Sequence, residues 1–324
     1  MDAFGRTIDY LRISVTERCN ERCVYCMPSG YHPAGGRSEQ LTREELVRVA
    51  EAATGLGFRK FRLTGGEPLL REDLPEIVRD LARLPGVGCL GLSTNGVRLA
   101  PVARQLRDDG LRTVNISLDA LDPQIYRRIT GGEVAPVLAG IRVALAAGFE
   151  QVKLNCVLMR GVNEGQIWPL ILFASEHGLP LRLIELMPVT TSTVLTDRNF
   201  LPVSEAMALV GQHDELEPQP DRHLGWGPAR YYRLRRTGAL VGFIGAITDQ
   251  HFCATCNKMR LTANGRVRPC LGDHGELDLR AALRSANSAA ALRAVLAAAM
   301  AQKPKEHQFC AQYQPDRPMT AIGG

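Results

Sequence analysis

Tyr10-Leu11-Arg12-Ile13-Ser14-Val15-Thr16-Glu17-Arg18-Cys19-Asn20-Glu21-Arg22-Cys23-Val24-Tyr25-Cys26 runs from a short apolar, β-branched segment straight into three cysteines in CxxxCxxC spacing. The first six residues have the composition of a strand, so the cysteines stand on the loop at its carboxyl end. A four-iron cluster ordinarily takes four thiolates, and three with no fourth close by leave one iron free to bind something other than protein. A zinc loop is the alternative, and it requires a fourth ligand from elsewhere. Tyr25 and the Met27-Pro28 pair make an apolar collar suited to a buried cofactor.

Five further runs of this kind follow, at residues 60–64, 88–93, 113–118, 152–158 and 181–187. Between them lie helical patterns, one opened by the capping-box sequence Thr42-Arg43-Glu44-Glu45 and another near 165–177. Strand and helix alternating six times imply a parallel sheet. The alternation ends near residue 188, short of the about 250 residues of a closed eightfold barrel, so the expected fold is α/β, a partial (β/α)6 TIM-like barrel. A flat doubly wound sheet is the alternative, and in both the ligands gather at the carboxyl ends of the strands.

After residue 188 the pattern changes to loops such as Glu217-Pro218-Gln219-Pro220 and Gly225-Trp226-Gly227-Pro228. We place a boundary near 220, with residues 1–220 as the barrel and 221–324 as a C-terminal extension. The extension is expected to hold two strands about Thr237-Gly238, a hairpin at Ala263-Asn264-Gly265 and an Ala-rich helix over 277–301. The cluster Arg233 to Arg236 reads as a solvated strand edge. It also carries Cys253, Cys256 and Cys270, a CxxC followed by a third thiol. With His274 these match the ligand count of a Cys3His zinc site as well as that of a second open cluster.

Lys and Arg total 39 against 34 Asp and Glu, a net +5. Spread along the chain, this is no nucleic-acid footprint but leaves small anions as ligands. The first residues lack a signal-peptide pattern, and no run of about 18 uncharged apolar residues exists to span a bilayer. A cytoplasmic protein without a membrane or nucleic-acid partner is expected. Nine cysteines in a reducing compartment are ligands or buried hydrophobes rather than disulfides. Cys89 and Cys156, inside apolar runs, read as core thiols, and Cys310 has no assignment.

Thr64-Gly65-Gly66-Glu67-Pro68 closes the second strand where glycines let backbone approach a ligand. Together with CxxxCxxC and the six strand-helix units, it resembles the radical S-adenosylmethionine superfamily. The run from Asp9 to Asn20, the second triplet, Cys256-Asn257-Lys258-Met259-Arg260 and the Gly323-Gly324 ending are similar to one family within it, the GTP 3′,8-cyclases of molybdenum cofactor biosynthesis. The likeness covers nearly the whole chain.

The resemblance implies two [4Fe-4S] clusters, on Cys19, Cys23 and Cys26 and on Cys253, Cys256 and Cys270. S-adenosylmethionine would chelate the open iron of the first, and reduction by an external electron donor would release a 5′-deoxyadenosyl radical. That radical would take hydrogen from ribose carbon 3 of GTP, and carbon 3 would then attack guanine carbon 8. The second cluster's open iron would bind the guanine. By the same resemblance, Tyr25, Gly66, Ser117 and Met187 match positions contacting S-adenosylmethionine, and Arg12, Arg62, Ser93, Lys153, Lys258 and Arg260 match positions contacting GTP. Gly323 and Gly324 would thread in beside the substrate, where only glycines fit. Lys258 departs from the family's arginine, replacing a two-pronged fork by a point charge. The product would pass to cyclic pyranopterin monophosphate synthase, and a homodimer is suggested. The rival readings are a radical peptide maturase with an auxiliary cluster and a non-catalytic zinc protein.

Overall fold

All six runs are strands, namely β1 (Tyr10–Ser14), β2 (Lys60–Thr64), β3 (Cys89–Thr94), β4 (Thr113–Ser117), β5 (Gln151–Leu158) and β6 (Leu181–Glu185). A computed structural model of the chain describes residues 1–27, 30–31, 40–189, 196, 198–221, 224, 227–309 and 313–323, so Pro28, Cys310 and Gly324 lie outside it. The six strands pair in parallel and in chain order. Helices α1 (Arg43–Gly55), α2 (Leu74–Arg83), α3 (Ala103–Asp108), α4 (Pro123–Thr130), α5 (Val134–Ala147), α6 (Ile167–Glu176) and α7 (Val203–Gly211) intervene or follow. The six parallel strands with helices between them form a partial TIM-like barrel.

The capping box at Thr42 forms: its hydroxyl accepts from Glu45 N at 3.2 Å, and the Glu45 carboxylate accepts from Thr42 N at 2.8 Å. Two backbone donors orphaned at the start of α1 are thereby satisfied.

The rest of the chain adds β7 (Leu216–Pro218), β8 (Arg230–Leu234), β9 (Leu240–Ile244), β10 (Lys258–Leu261), β11 (Arg266–Arg268) and β12 (Leu277–Asp278), then α8 (Arg280–Arg284), α9 (Ser288–Ala301) and α10 (Met319–Ile322). These strands extend the barrel sheet at both ends, β10 pairing in parallel with β1 and β9 with β6. The order in the 12-stranded sheet is β12-β11-β10-β1-β2-β3-β4-β5-β6-β9-β8-β7.

Two expectations are corrected. The Ala-rich stretch is not one helix from 277: Leu277 and Asp278 pair with β11, Asp278 caps Arg280 N at 2.8 Å, and Ser285 turns extended between α8 and α9. Asp, Ser and Asn bond to nearby backbone and so break a helix that its alanines would continue. Arg233 is not on an edge, since β8 is paired on both sides with β7 and β9, and the exposed Arg235 instead reaches Glu215 at 2.9 Å.

Along the barrel strands the two faces differ sharply. Leu11, Ile13, Phe61, Leu63, Leu90, Leu92, Val114, Ile116, Leu154, Leu181 and Leu183 are buried in one continuous apolar core with residues of the helices. The alternate residues are mostly polar or charged and face the barrel interior, as the twofold side-chain period requires. Cys156 lies in that core and Cys89 is also buried. No single helix among the described residues is long and apolar enough to cross a membrane.

Candidate active site

The interior face encloses a cavity of about 370 Å³, within the roughly 300–1,000 Å³ usual for small-molecule sites. Every described candidate named from the sequence except Gly323 and His274 lines it. Cys19, Cys23 and Cys26, Cys253, Cys256 and Cys270, Tyr25, Gly66, Ser117 and Met187, and Arg12, Arg62, Ser93, Lys153, Lys258 and Arg260 all face the same space.

Backbone bonds fix the first triplet to the barrel. Gly66 N donates to Thr16 O and Glu67 N to Arg18 O, both at 2.7 Å, while Arg22 N and Val24 N donate to Thr130 O and Ile129 O of α4 at 2.7 and 2.9 Å. A Cβ on Gly66 would stand 2.3 Å from Arg18 O, so the close approach admits only glycine. The Glu67 carboxylate accepts from Asn95 N and from the Thr94 hydroxyl, each at 2.7 Å. Burial nonetheless raises it to about 7. Tyr25 donates its hydroxyl to Asp119 at 2.7 Å, and burial raises that carboxyl to about 6.

All six thiols are free and half-buried. Among the described residues no three Cys, His, Asp or Glu side chains are gathered tightly enough to hold a metal ion as they stand. Within each triplet, however, the sulfurs feel one another's charge. Burial first, and then Cys19, push Cys26 up to about 12, and burial holds Cys19 at about 11. Cys256 and Cys253 likewise raise Cys270, after burial. Cys256 alone is pulled down, because Lys303 and Lys258 outweigh its burial. His274 does not join the second triplet: its ring stacks on Tyr313 at 4.8 Å and pairs with Asp316 at 3.2 Å.

The cations form rows across neighbouring strands. Arg260, Arg12 and Arg62 stand directly opposite one another on β10, β1 and β2. Like charges in such register destabilise a sheet unless an anion answers them. Arg62 is locked by Nε to the Tyr10 hydroxyl at 2.6 Å, Nη1 to Leu92 O at 2.7 Å and Nη2 to the Thr113 hydroxyl at 3.0 Å. Its neighbour in the row is Gly91, where a Cβ would come within 2.7 Å of Arg62 Nη2. Burial, then the charges of Arg62 and Arg182, press Arg12 down to about 10, and burial with Arg12 presses Arg260 to about 9. Burial, Arg182 and Arg62 bring Lys153 to about 7. Burial also lowers Lys258.

Ser93, Asn115 and Lys153 form a second row on β3, β4 and β5, and Asn115 Oδ1 is buried there without a hydrogen-bond partner among the described residues. The hydroxyl of Thr320 on α10 is orphaned in the same way in the cavity wall. Such atoms mark where a polar ligand fits.

The chain's last turn closes one side. Met319 N donates to Cys26 O at 3.2 Å, and Arg260 Nη1 donates to Gly323 O. Gly323 has φ +90° and lies against Ser14 and Thr64. Gly324 is outside the described residues.

Sequence reasoning missed Arg182, Lys303 and Thr320. Arg182, between Leu181 and Leu183, is a charge inside an apolar strand, as Arg12 and Lys153 are in theirs. For the other two no local signal exists, because only the tertiary fold brings them to the cavity.

Comparison with known proteins bears on what this cavity does. A family model described as Radical SAM superfamily matches residues 13–174, and one described as Molybdenum Cofactor Synthesis C matches 179–309. The chain is 43% identical to the GTP 3′,8-cyclase of Moorella thermoacetica, covering 100% of this chain and 99% of that protein. It is 42% identical to the GTP 3′,8-cyclase of Pelotomaculum thermopropionicum over 100% and 99%. Streptococcus suis SuiB bound to S-adenosylmethionine matches in structure with a TM-score of 0.64 at 15% identity, over 86% of this chain and 64% of that one. SuiB bound to its precursor peptide SuiA matches at 0.62 and 16%, over 89% and 67%. At these identities the two structures bear on the fold alone, and the chain spans about two thirds of their length.

Proposed function

The chain belongs to the GTP 3′,8-cyclase family of the radical S-adenosylmethionine superfamily, and from that membership we propose that it converts GTP to (8S)-3′,8-cyclo-7,8-dihydroguanosine 5′-triphosphate, an early step of molybdenum cofactor biosynthesis. The observation that carries this reading is the row Arg260, Arg12 and Arg62 inside a cavity that both cysteine triplets line. Like charges buried in one register call for a polyanion, and thiol-only donor sets suit iron-sulfur clusters.

A four-iron cluster on Cys19, Cys23 and Cys26 with S-adenosylmethionine supplies, when reduced, a carbon-centred radical. Tyr25, Gly66, Ser117 and Met187 would border the S-adenosylmethionine. Tyr25 is held by Asp119, and Gly66 owes its place to the pairing with residue 16. Arg12, Arg62, Ser93, Lys153, Lys258 and Arg260 would grip GTP, joined by Arg182, whose Nε is fixed on Asn155 Oδ1 at 2.8 Å. Cys253, Cys256 and Cys270 would hold the second [4Fe-4S] cluster on the guanine side. Gly323 and Gly324 would exclude side chains, and with them competing hydrogen donors, from the space beside the substrate. An external electron donor, hand-over to cyclic pyranopterin monophosphate synthase, a homodimer and a cytoplasmic location complete the reading.

The test is anaerobic reconstitution with iron and sulfide, followed by incubation with GTP, S-adenosylmethionine and a strong reductant. Formation of 5′-deoxyadenosine together with a cyclised nucleotide is expected, and absence of both would overturn the assignment. Cleavage that responded to a peptide and not to GTP would favour the maturase.

A further inference from the structure

Lys303 stands two residues beyond α9 and is 3% exposed. Its ammonium donates to Lys258 O at 2.8 Å and to Pro269 O at 2.7 Å. Those carbonyls belong to the two separate segments that carry the second triplet, Lys258 two residues after Cys256 and Pro269 immediately before Cys270. One side chain therefore ties the CxxC arm to the arm of the third cysteine. Its charge also reaches Cys253, Cys256 and Cys270. Among the described residues no carboxylate pairs with it. Its side chain also hydrogen-bonds Cys256, and a buried ammonium held by neutral carbonyls and a thiol favours an anionic group placed beside it.

We propose that Lys303 is the positioning residue of the second triplet, holding its two arms together and setting the reduction potential of the cluster bound there. The proposal rests on the reading that this triplet carries a cluster. Reduction adds one negative charge to such a group, and a fixed positive charge in a low-dielectric surround favours that state, so Lys303 raises the potential. Nothing about the first triplet should change, because Lys303 touches only the second.

The test compares wild type, Lys303→Gln and Lys303→Arg as anaerobically reconstituted holoenzymes. Iron and sulfide are counted, and both clusters are titrated potentiometrically by electron paramagnetic resonance. Lys303→Gln keeps a donor and loses the charge, whereas Lys303→Arg keeps the charge. In Lys303→Gln the second cluster's midpoint should fall by at least a tenfold change in its one-electron equilibrium, about 59 mV. The first cluster in the same sample should be unmoved, and Lys303→Arg should stay near wild type. Loss of the second cluster alone in Lys303→Gln, restored in Lys303→Arg, would equally support the proposal. An unchanged second midpoint in Lys303→Gln would refute it, as would loss of both clusters in Gln and Arg variants alike, which would mark Lys303 as a folding residue. Wild type with only about four irons per chain would instead remove the underlying reading of the triplet.

Discussion

Lys153 lines the cavity with an ammonium that burial, Arg182 and Arg62 bring to about 7. An anion bound beside it restores the charged form, so nucleotide binding takes up a proton wherever the free enzyme has already lost it. The sign follows: affinity is highest below about 7 and falls as pH rises through that value towards the higher value of the bound state. Anaerobic calorimetry in buffers of different ionisation enthalpy should detect this uptake in the wild type and not in Lys153→Met. That variant should also bind GTP more weakly by about 1.5–3 kcal/mol, roughly tenfold to a hundredfold. Lys258→Arg should leave the apparent GTP affinity unchanged or tighten it, since a fork replaces a point charge. A large loss in the same titration would mean that the position does not face phosphate. Arg12 and Lys153 were legible in the sequence because each interrupts an apolar strand, and Arg182 was legible for the same reason but overlooked. Lys303 was not, since its place is set by carbonyls 45 and 34 residues away along the chain.

At the scale of elements, the strand ends and their loops hold one another. The Gly65-Gly66-Glu67 turn after β2 is laced to the segment leading from β1 into the first triplet, with no room for a methyl group at Gly66. Gly66→Ala must therefore displace the backbone of Arg18, next to Cys19. Its reconstituted iron content should drop to about half that of the wild type, the second cluster alone remaining. An undiminished iron count would show that the loop can yield. The six strands and the capped start of α1 were readable because period, β-branching and capping chemistry are local properties. The short strand at Leu277 and Asp278 ahead of α8 was not, because it depends on pairing across to β11.

Over the whole molecule, residues beyond 220 supply the neighbours of both outermost barrel strands, β10 beside β1 and β9 beside β6. A sequence boundary near 220 thus does not divide the sheet. A fragment of residues 1–220 would leave two long unpaired edges, and it should associate or unfold in size-exclusion chromatography where the full chain elutes as a defined species. This closure was invisible to reasoning along the chain, since nothing local announces which strand a late hairpin will join. The crowding of arginine and lysine on the interior face has a practical corollary. Like charges gathered this way repel one another, and any small multivalent anion that binds among them stabilises the fold by mass action. Melting temperature should climb with added inorganic pyrophosphate, and a phosphate buffer will compete with the nucleotide in every assay performed in it.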